Sequence, residues 1–107
     1  MRVYVAASLE QLATWAAAGA VPAGGERFVA EQEDEETEYD ALMAAADASR
    51  ELGAPRRVVV VAECADPDAA VPFDRVVAVH ADPAGQATVD GDLAWYAPQE
   101  IPALLAS

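Results

Sequence analysis

Residues 56–62, with the sequence Arg-Arg-Val-Val-Val-Val-Ala, contain four consecutive valines. A strand with one solvent-exposed face alternates apolar and polar residues, and this run has no such alternation. The sequence therefore predicts a central strand that is buried on both faces of a sheet covered by helices. Residues 75–81, Arg-Val-Val-Ala-Val-His-Ala, predict a second strand of the same kind.

Upstream of these strands, the sequence predicts a strand, a helix and a short edge strand. Residues 2–6 are rich in β-branched and aromatic side chains, which favours a strand at the N-terminus. Ser8 and Gln11 have the spacing of a capping box, and Gly19 is typical of the position just after a helix. A helix is therefore expected over residues 9–18, and the weak apolar run at residues 27–30 predicts the edge strand.

An acidic run at residues 31–38 leads into the strongest helical pattern of the chain. Gly53 and Pro55 provide the stop signals of this second helix. Its apolar residues recur at the spacing of one helical face. The residues of that predicted core face are Tyr39, Leu42, Met43 and Ala46.

The remaining segments complete an α/β pattern. Residues 66–74 predict a loop, residues 93–96 a last strand, and Pro98 the start of a short terminal helix. Strands separated by helices favour parallel pairing, and short late connections favour an antiparallel pair. The prediction is one α/β domain over residues 1–107. It has a central, mostly parallel or mixed sheet of about five strands, flanked by two main helices and a short C-terminal helix.

Charge and cysteine content limit the classes of function. Nineteen acidic side chains oppose six arginines, giving a net charge of −13. Such a surface repels phosphate backbones, so binding to nucleic acid or to an anionic membrane is not expected. A single cysteine, no signal-peptide pattern and no apolar run of about 18 residues indicate a cytoplasmic protein. The acidity itself is consistent with simple solubility, with salt adaptation or with mimicry of DNA.

Several segments together resemble a known family. They are residues 1–5 (Met-Arg-Val-Tyr-Val), 38–42 (Glu-Tyr-Asp-Ala-Leu), 56–60 (Arg-Arg-Val-Val-Val), 77–80 (Val-Ala-Val-His) and 95–101 (Trp-Tyr-Ala-Pro-Gln-Glu-Ile). In this order they resemble a family of small, acidic, uncharacterised proteins from high-GC bacteria, and the closing Trp-Tyr-x-x-Gln-Glu-Ile element is the most specific. The resemblance implies no activity, so no catalytic residue follows from it.

The ends of the two buried strands carry the candidate ligand or metal residues, which are Cys64, Asp66, His80 and Asp82. If the strands are parallel neighbours, Cys64 and His80 approach each other at the carboxyl edge of the sheet. A mixed Cys, His and Asp set is compatible with zinc, but no metal-binding spacing is present. No orienting third group or oxyanion site is evident, so we assign no catalytic residue and no cofactor. An inert cysteine, a structural histidine and solvated carboxylates are the simpler interpretation.

Two surface features indicate interactions with proteins. The acidic run offers Glu31, Glu33, Asp34, Glu35 and Glu36, which are either a solvated helix terminus or a docking patch for a basic partner. Trp95 and Tyr96 either form an aromatic interface or alternate between core and solvent. The leading hypothesis is a non-enzymatic accessory or protein-binding module with an unidentified, basic partner or a homodimer. The alternatives are a ligand-binding, metal-binding or enzymatic site near Cys64 and His80, and an acidic DNA mimic.

Overall fold

The computed structural model describes residues 1–30, 32–53, 55–83 and 92–107. Within these residues the strands are β1 (Arg2–Ala7), β2 (Ala20–Val21), β3 (Arg27–Val29), β4 (Val58–Glu63), β5 (Val71–Pro72), β6 (Val76–Ala81) and β7 (Ala94–Tyr96). The helices are α1 (Leu9–Ala18), α2 (Glu35–Arg50) and α3 (Ile101–Leu105), with short 3-10 turns at Phe73–Arg75 and Pro98–Glu100. None of the described helices combines the length and the apolar composition needed to span a bilayer.

The main sheet has five strands in the order β3-β1-β4-β6-β7, and every neighbouring pair is antiparallel. The expectation of a mostly parallel or mixed sheet is therefore wrong. A separate antiparallel pair joins β2 to β5. The fold is an α/β arrangement of three helices on an antiparallel sheet.

The connections explain why the strands alternate in direction. A parallel neighbour needs a crossover, usually through a helix, whereas an antiparallel neighbour needs only a loop. β4 and β6 are joined by a segment that contains β5 and one 3-10 turn but no α-helix. α2 does form a crossover, but the strands that it joins, β3 and β4, lie on either side of β1. A run of valines reports burial on both faces and does not report strand direction.

The valines of β4 supply both faces of the core. Val58 and Val60 belong to the apolar cluster that includes residues of α1 and α3. Val59 and Val61 belong to the cluster beneath α2. All four side chains are at most 3% exposed. The prediction that this strand is buried on both faces is confirmed.

Both main helices begin at side-chain caps. Ser8 and Gln11 form the predicted capping box of α1, and Gly19 ends the helix with a φ of 82°. Asp34 caps α2 by accepting a 2.9 Å hydrogen bond from the backbone N–H of Thr37. These caps satisfy backbone donors that have no partner within the helix.

The buried face of α2 is rotated from the predicted one. Ala41, Ala45, Ala46 and Ser49 face the sheet, whereas Tyr39 is 53% exposed. Alanine side chains let the helix axis approach the sheet closely, so the larger Leu42 lies at the border of the contact, half-buried. The assignment of Tyr39 to the core is therefore wrong.

Arg27 on the edge strand β3 ties two loops together. Its guanidinium donates to the carbonyl oxygens of Pro67 and Ala69, both at 2.7 Å. It also donates to the carbonyl oxygens of Pro22 and Gly24. One side chain thus holds the loop before β3 against the loop that follows β4.

Candidate functional site

The antiparallel sheet separates Cys64 from His80. His80 pairs with Val59 in the β4–β6 ladder, and Cys64 follows the far end of β4. Five residues of strand separate Val59 from Cys64, which corresponds to about 16 Å. The thiol and the imidazole therefore lie near opposite ends of the sheet, and the structure does not bring them together.

Cys64 and Asp66 share an open cleft. Its volume is about 620 Å³ and its lining includes Met1, Glu63 and Arg75. The Cys64 amide donates a 2.8 Å hydrogen bond to the Met1 carbonyl, and an Asp66 carboxylate oxygen accepts one from the Asp68 amide at 2.9 Å. Among the described residues, no three His, Cys, Asp or Glu side chains are placed to hold a metal ion together.

Asp82 lies at the other end of the sheet in a buried ion pair with Arg57. The carboxylate accepts hydrogen bonds from Nε and Nη2 of Arg57 at 3.0 and 2.8 Å, and from the Arg57 backbone amide at 2.8 Å. The Asp82 amide returns a bond to the Arg57 carbonyl at 3.1 Å. The side chains are only 3% and 2% exposed, so this pair joins the start of β4 to the end of β6 within the protein interior.

The pair also determines the protonation state of the carboxyl group. Burial by itself raises the pKa of Asp82, but hydrogen bonds from the side chain and backbone of Arg57 outweigh it. The pKa of Asp82 is therefore lowered, and the group is ionised at neutral pH. A carboxylate that is fully engaged with an arginine acts as a structural group and is not free to bind a ligand.

His80 lies on the side of β6 that faces the α2 layer. It is directly opposite Val59 on β4 and Trp95 on β7. Burial lowers the pKa of His80, because desolvation penalises the charged imidazolium. The imidazole is therefore neutral at neutral pH.

The acidic segment is exposed where the structure describes it. Glu31 lies outside the described residues, whereas Glu33, Asp34, Glu35 and Glu36 are all exposed. Asp34 is engaged as the cap of α2. In the part of the chain that the structure describes, Glu33, Glu35 and Glu36 form no salt bridge.

A second cluster of charges borders the acidic segment. Arg2 lies between Glu63, at 3.0 Å from its Nε, and Glu38, at 3.3 Å from its Nη1. The hydrogen bond to Glu63 raises the pKa of Arg2. Burial raises the pKa of the nearby Tyr4 hydroxyl, and the negative charge of Glu38 adds to this effect. Arg2, Glu38 and Glu63 line an open cleft of about 540 Å³ together with Glu33.

Trp95 and Tyr96 point to opposite sides of the sheet. Tyr96 packs against the cluster that contains Val58 and Val60, whereas Trp95 is 59% exposed. Alternation along a strand explains this difference. One residue of the aromatic pair therefore belongs to the core and the other to the surface.

Comparison with known proteins identifies a family without an assigned activity. A family of unknown function, DUF6912, matches residues 1–105. The chain belongs to this family. Searches of curated proteins and of solved structures gave no significant match. The match bears out the resemblance to an uncharacterised family.

In this DUF6912 member, the residues singled out from the sequence fall into separate places. Cys64 and Asp66 share one cleft, His80 and Asp82 lie toward the other end of the sheet, and the acidic segment lies at the start of α2. Sequence reasoning missed the partners Arg2 and Arg57. The signal available for Arg57 was its position directly before a buried strand. A charged side chain at such a position is buried with the strand and needs a partner of opposite charge.

Proposed function

We propose that this protein is a non-enzymatic accessory protein that binds a basic partner protein through the start of α2. We call this surface, formed by Glu33, Asp34, Glu35 and Glu36, the acidic patch. The observation that carries the proposal is that three of these carboxylates are exposed and form no salt bridge with a described residue. They are therefore available to a positively charged surface.

The fold does not need this concentration of charge. One carboxylate, that of Asp34, is enough to cap the helix, and Glu38 is already paired with Arg2. Negative charges near a helix N-terminus are each favourable by about 0.3–1 kcal/mol, which offsets part of their mutual repulsion. A basic partner would relieve the rest of that repulsion and would be steered toward the patch at low ionic strength.

The positions of Cys64 and His80 argue against an enzyme that uses them as a pair. A nucleophile and its base must come within about 3 Å of each other, whereas these residues are separated by about 16 Å of strand. The Asp82 carboxylate is occupied by Arg57. Binding to a protein partner is therefore better supported than catalysis at the strand ends.

Affinity capture with matched charge variants tests this proposal. The test variant is Glu33→Gln with Glu35→Gln and Glu36→Gln. The control variant neutralises three exposed acids elsewhere, namely Glu10→Gln with Glu26→Gln and Glu51→Gln. Both variants have the same net charge, so only the position of the lost charges differs.

The expected result is a basic protein that the wild type and the control capture and that the test variant does not. The interaction should weaken between 50 and 300 mM salt, because exposed charges are screened within about 10 Å at 0.1 M. Equal loss of capture in both variants would mean that only total charge matters, and the acidic patch would not be the binding site. If the captured protein binds DNA and DNA displaces this chain, the patch acts as a DNA mimic. Sedimentation of the wild type alone, at low and at high salt, measures its mass in solution and so tests whether the chain forms a homodimer.

A further inference from the structure

One side of the main sheet extends beyond the helix that covers it. α2 packs over β3, β1 and β4, and β6 and β7 continue the sheet past this helix. Val77 and Leu93 pack against the cluster beneath α2 but remain half-buried. The side of β6 and β7 that faces the α2 layer therefore contributes apolar surface that the helix leaves partly exposed.

Trp95 extends this surface. Directly opposite residues of antiparallel strands share a face of the sheet. His80 is opposite Val59, which lies in the cluster beneath α2, and Trp95 is opposite His80. Trp95 therefore lies on the same side as α2, and its 59% exposure makes it the most exposed large apolar side chain of this region.

The neighbouring flank of α2 is also apolar. Leu42 of α2 packs against the same apolar cluster as Val77 and Leu93. Tyr39 precedes Leu42 by three residues on the same side of the helix and is 53% exposed. We call the resulting surface the open face. Its residues are Tyr39, Leu42, Val77, His80, Leu93 and Trp95.

Exposed acids border the open face. Glu35 precedes Tyr39 by one helical turn, Asp40 lies on the outward side of α2, and Asp92 precedes Leu93. Asp47 is also exposed but is paired with Arg50 at 3.6 Å. The whole chain carries a net charge of −13, so two copies repel each other. An apolar centre with an acidic border instead complements a segment that has apolar residues on one side and basic residues around them.

We propose that the open face binds an amphipathic, basic segment of a partner protein, with Trp95 as the central anchor. This inference rests on the function proposed above, and it assigns the apolar part of the contact. The acidic patch attracts the partner, and the open face holds it. Tryptophan is enriched among the residues whose truncation most weakens protein interfaces.

A pair of synthetic peptides tests the inference on the full chain. One is an 18-residue peptide of leucine and lysine with apolar residues at helical spacing, and the other has glutamine in place of every lysine. The chain has two tryptophans, so Trp15→Phe leaves Trp95 as the only indole reporter. Calorimetry on the wild type provides an independent affinity. The variants are Trp95→Ala and, as a control, Leu52→Ala, since Leu52 is 48% exposed and lines clefts beside α1.

The lysine peptide is expected to bind, to shift the Trp95 emission to shorter wavelength, and to bind Trp95→Ala at least about tenfold more weakly. Leu52→Ala should bind it as the wild type does. The proposal is overturned if the lysine peptide does not bind, if the glutamine peptide binds equally well, or if Trp95→Ala has no effect. It is also overturned if the wild type sediments as a dimer that Trp95→Ala abolishes, because the occupant is then a second copy.

The same peptide separates this inference from the proposed function. If Trp95→Ala binds it normally and Glu33→Gln with Glu35→Gln and Glu36→Gln does not, the acidic patch is the docking site and the open face is not. If neither variant weakens binding, both proposals fail. If both variants weaken it, with the charge variant also reducing the salt dependence, both are supported.

Discussion

Asp82→Asn removes the negative charge from the buried pair between β4 and β6 at almost constant side-chain volume. The Asp82 carboxylate accepts three hydrogen bonds from Arg57, at 2.8, 3.0 and 2.8 Å. An amide offers one oxygen in place of two, and it no longer supplies the negative charge that lies against the buried guanidinium. Removing one partner of a buried ion pair typically costs about 3–5 kcal/mol.

This loss is a large part of the free energy of unfolding expected for a chain of this size. Small domains have free energies of unfolding of about 5–15 kcal/mol, so we expect the thermal midpoint of Asp82→Asn to fall by more than about 10 °C. Urea unfolding followed by circular dichroism measures the difference. The control is Glu63→Gln, which removes an exposed pair with Arg2 whose side chains are 40% and 46% exposed and should cost at most about 1 kcal/mol.

The pH dependence of the difference follows from the lowered pKa of Asp82. A carboxyl group whose pKa is lower in the folded state contributes stability that is fully present above its unfolded pKa, about 3.9, and is lost as the pH falls through the folded value. The gap between wild type and Asp82→Asn should therefore be largest near pH 7 and shrink below about pH 4. A gap under about 1 kcal/mol at pH 7, or one that widens on acidification, would refute this account of the pair.

Three further predictions concern single side chains. Ser49→Ala should lower the free energy of unfolding by about 1–3 kcal/mol in urea denaturation. The buried hydroxyl donates to a β1 carbonyl at 2.6 Å and accepts from a β4 amide at 2.9 Å. A loss no larger than that of Ser8→Gly, at the half-buried cap of α1, would contradict this. The pKa of His80, measured by NMR, should lie below the usual value of about 6.5. Trp95→Ala should raise this pKa, because the imidazole becomes more hydrated. An unchanged pKa would show that Trp95 does not cover the imidazole. His80→Ala should leave the rate of Cys64 alkylation within about twofold of wild type, since the two residues are near opposite ends of the sheet, and a tenfold change would contradict the strand directions.

Local signals in the sequence were sufficient for the two main helices and the five strands of the main sheet. They did not predict the short pair of β2 and β5, and the expectation of a loop over residues 66–74 is wrong at Val71–Pro72. The Ser8–Gln11 spacing located α1, and the valines of β4 located a strand that is buried on both faces. Strand direction was not encoded in those patterns. Unbroken apolar runs are typical of parallel sheets, but β4 is antiparallel to its neighbours and has the same pattern because both of its faces are covered. The lack of a helix between β4 and β6 was the signal that favoured antiparallel pairing.

The candidate site depended on strand direction, so the wrong expectation of parallel strands also misplaced the site. With β4 and β6 parallel, Cys64 and His80 would lie at one edge. With these strands antiparallel, the residue before β4 meets the residue after β6, which makes neighbours of Arg57 and Asp82. The helical wheel of α2 failed for a different reason, since the alanines at positions 41 and 45 pack closer to the sheet than the larger residues that hydrophobicity favours.

The four carbonyl contacts of Arg27 have a consequence for how the molecule resists proteolysis. The loops that this guanidinium holds are separated by about forty residues in the sequence and are rich in glycine, proline and alanine, with few large side chains of their own to anchor them. Losing the side chain would free both loops at once, so a protease would gain two cleavage regions from one substitution. Lysine, with a single ammonium group, would restore only part of the protection, because a planar guanidinium can donate in several directions at the same time.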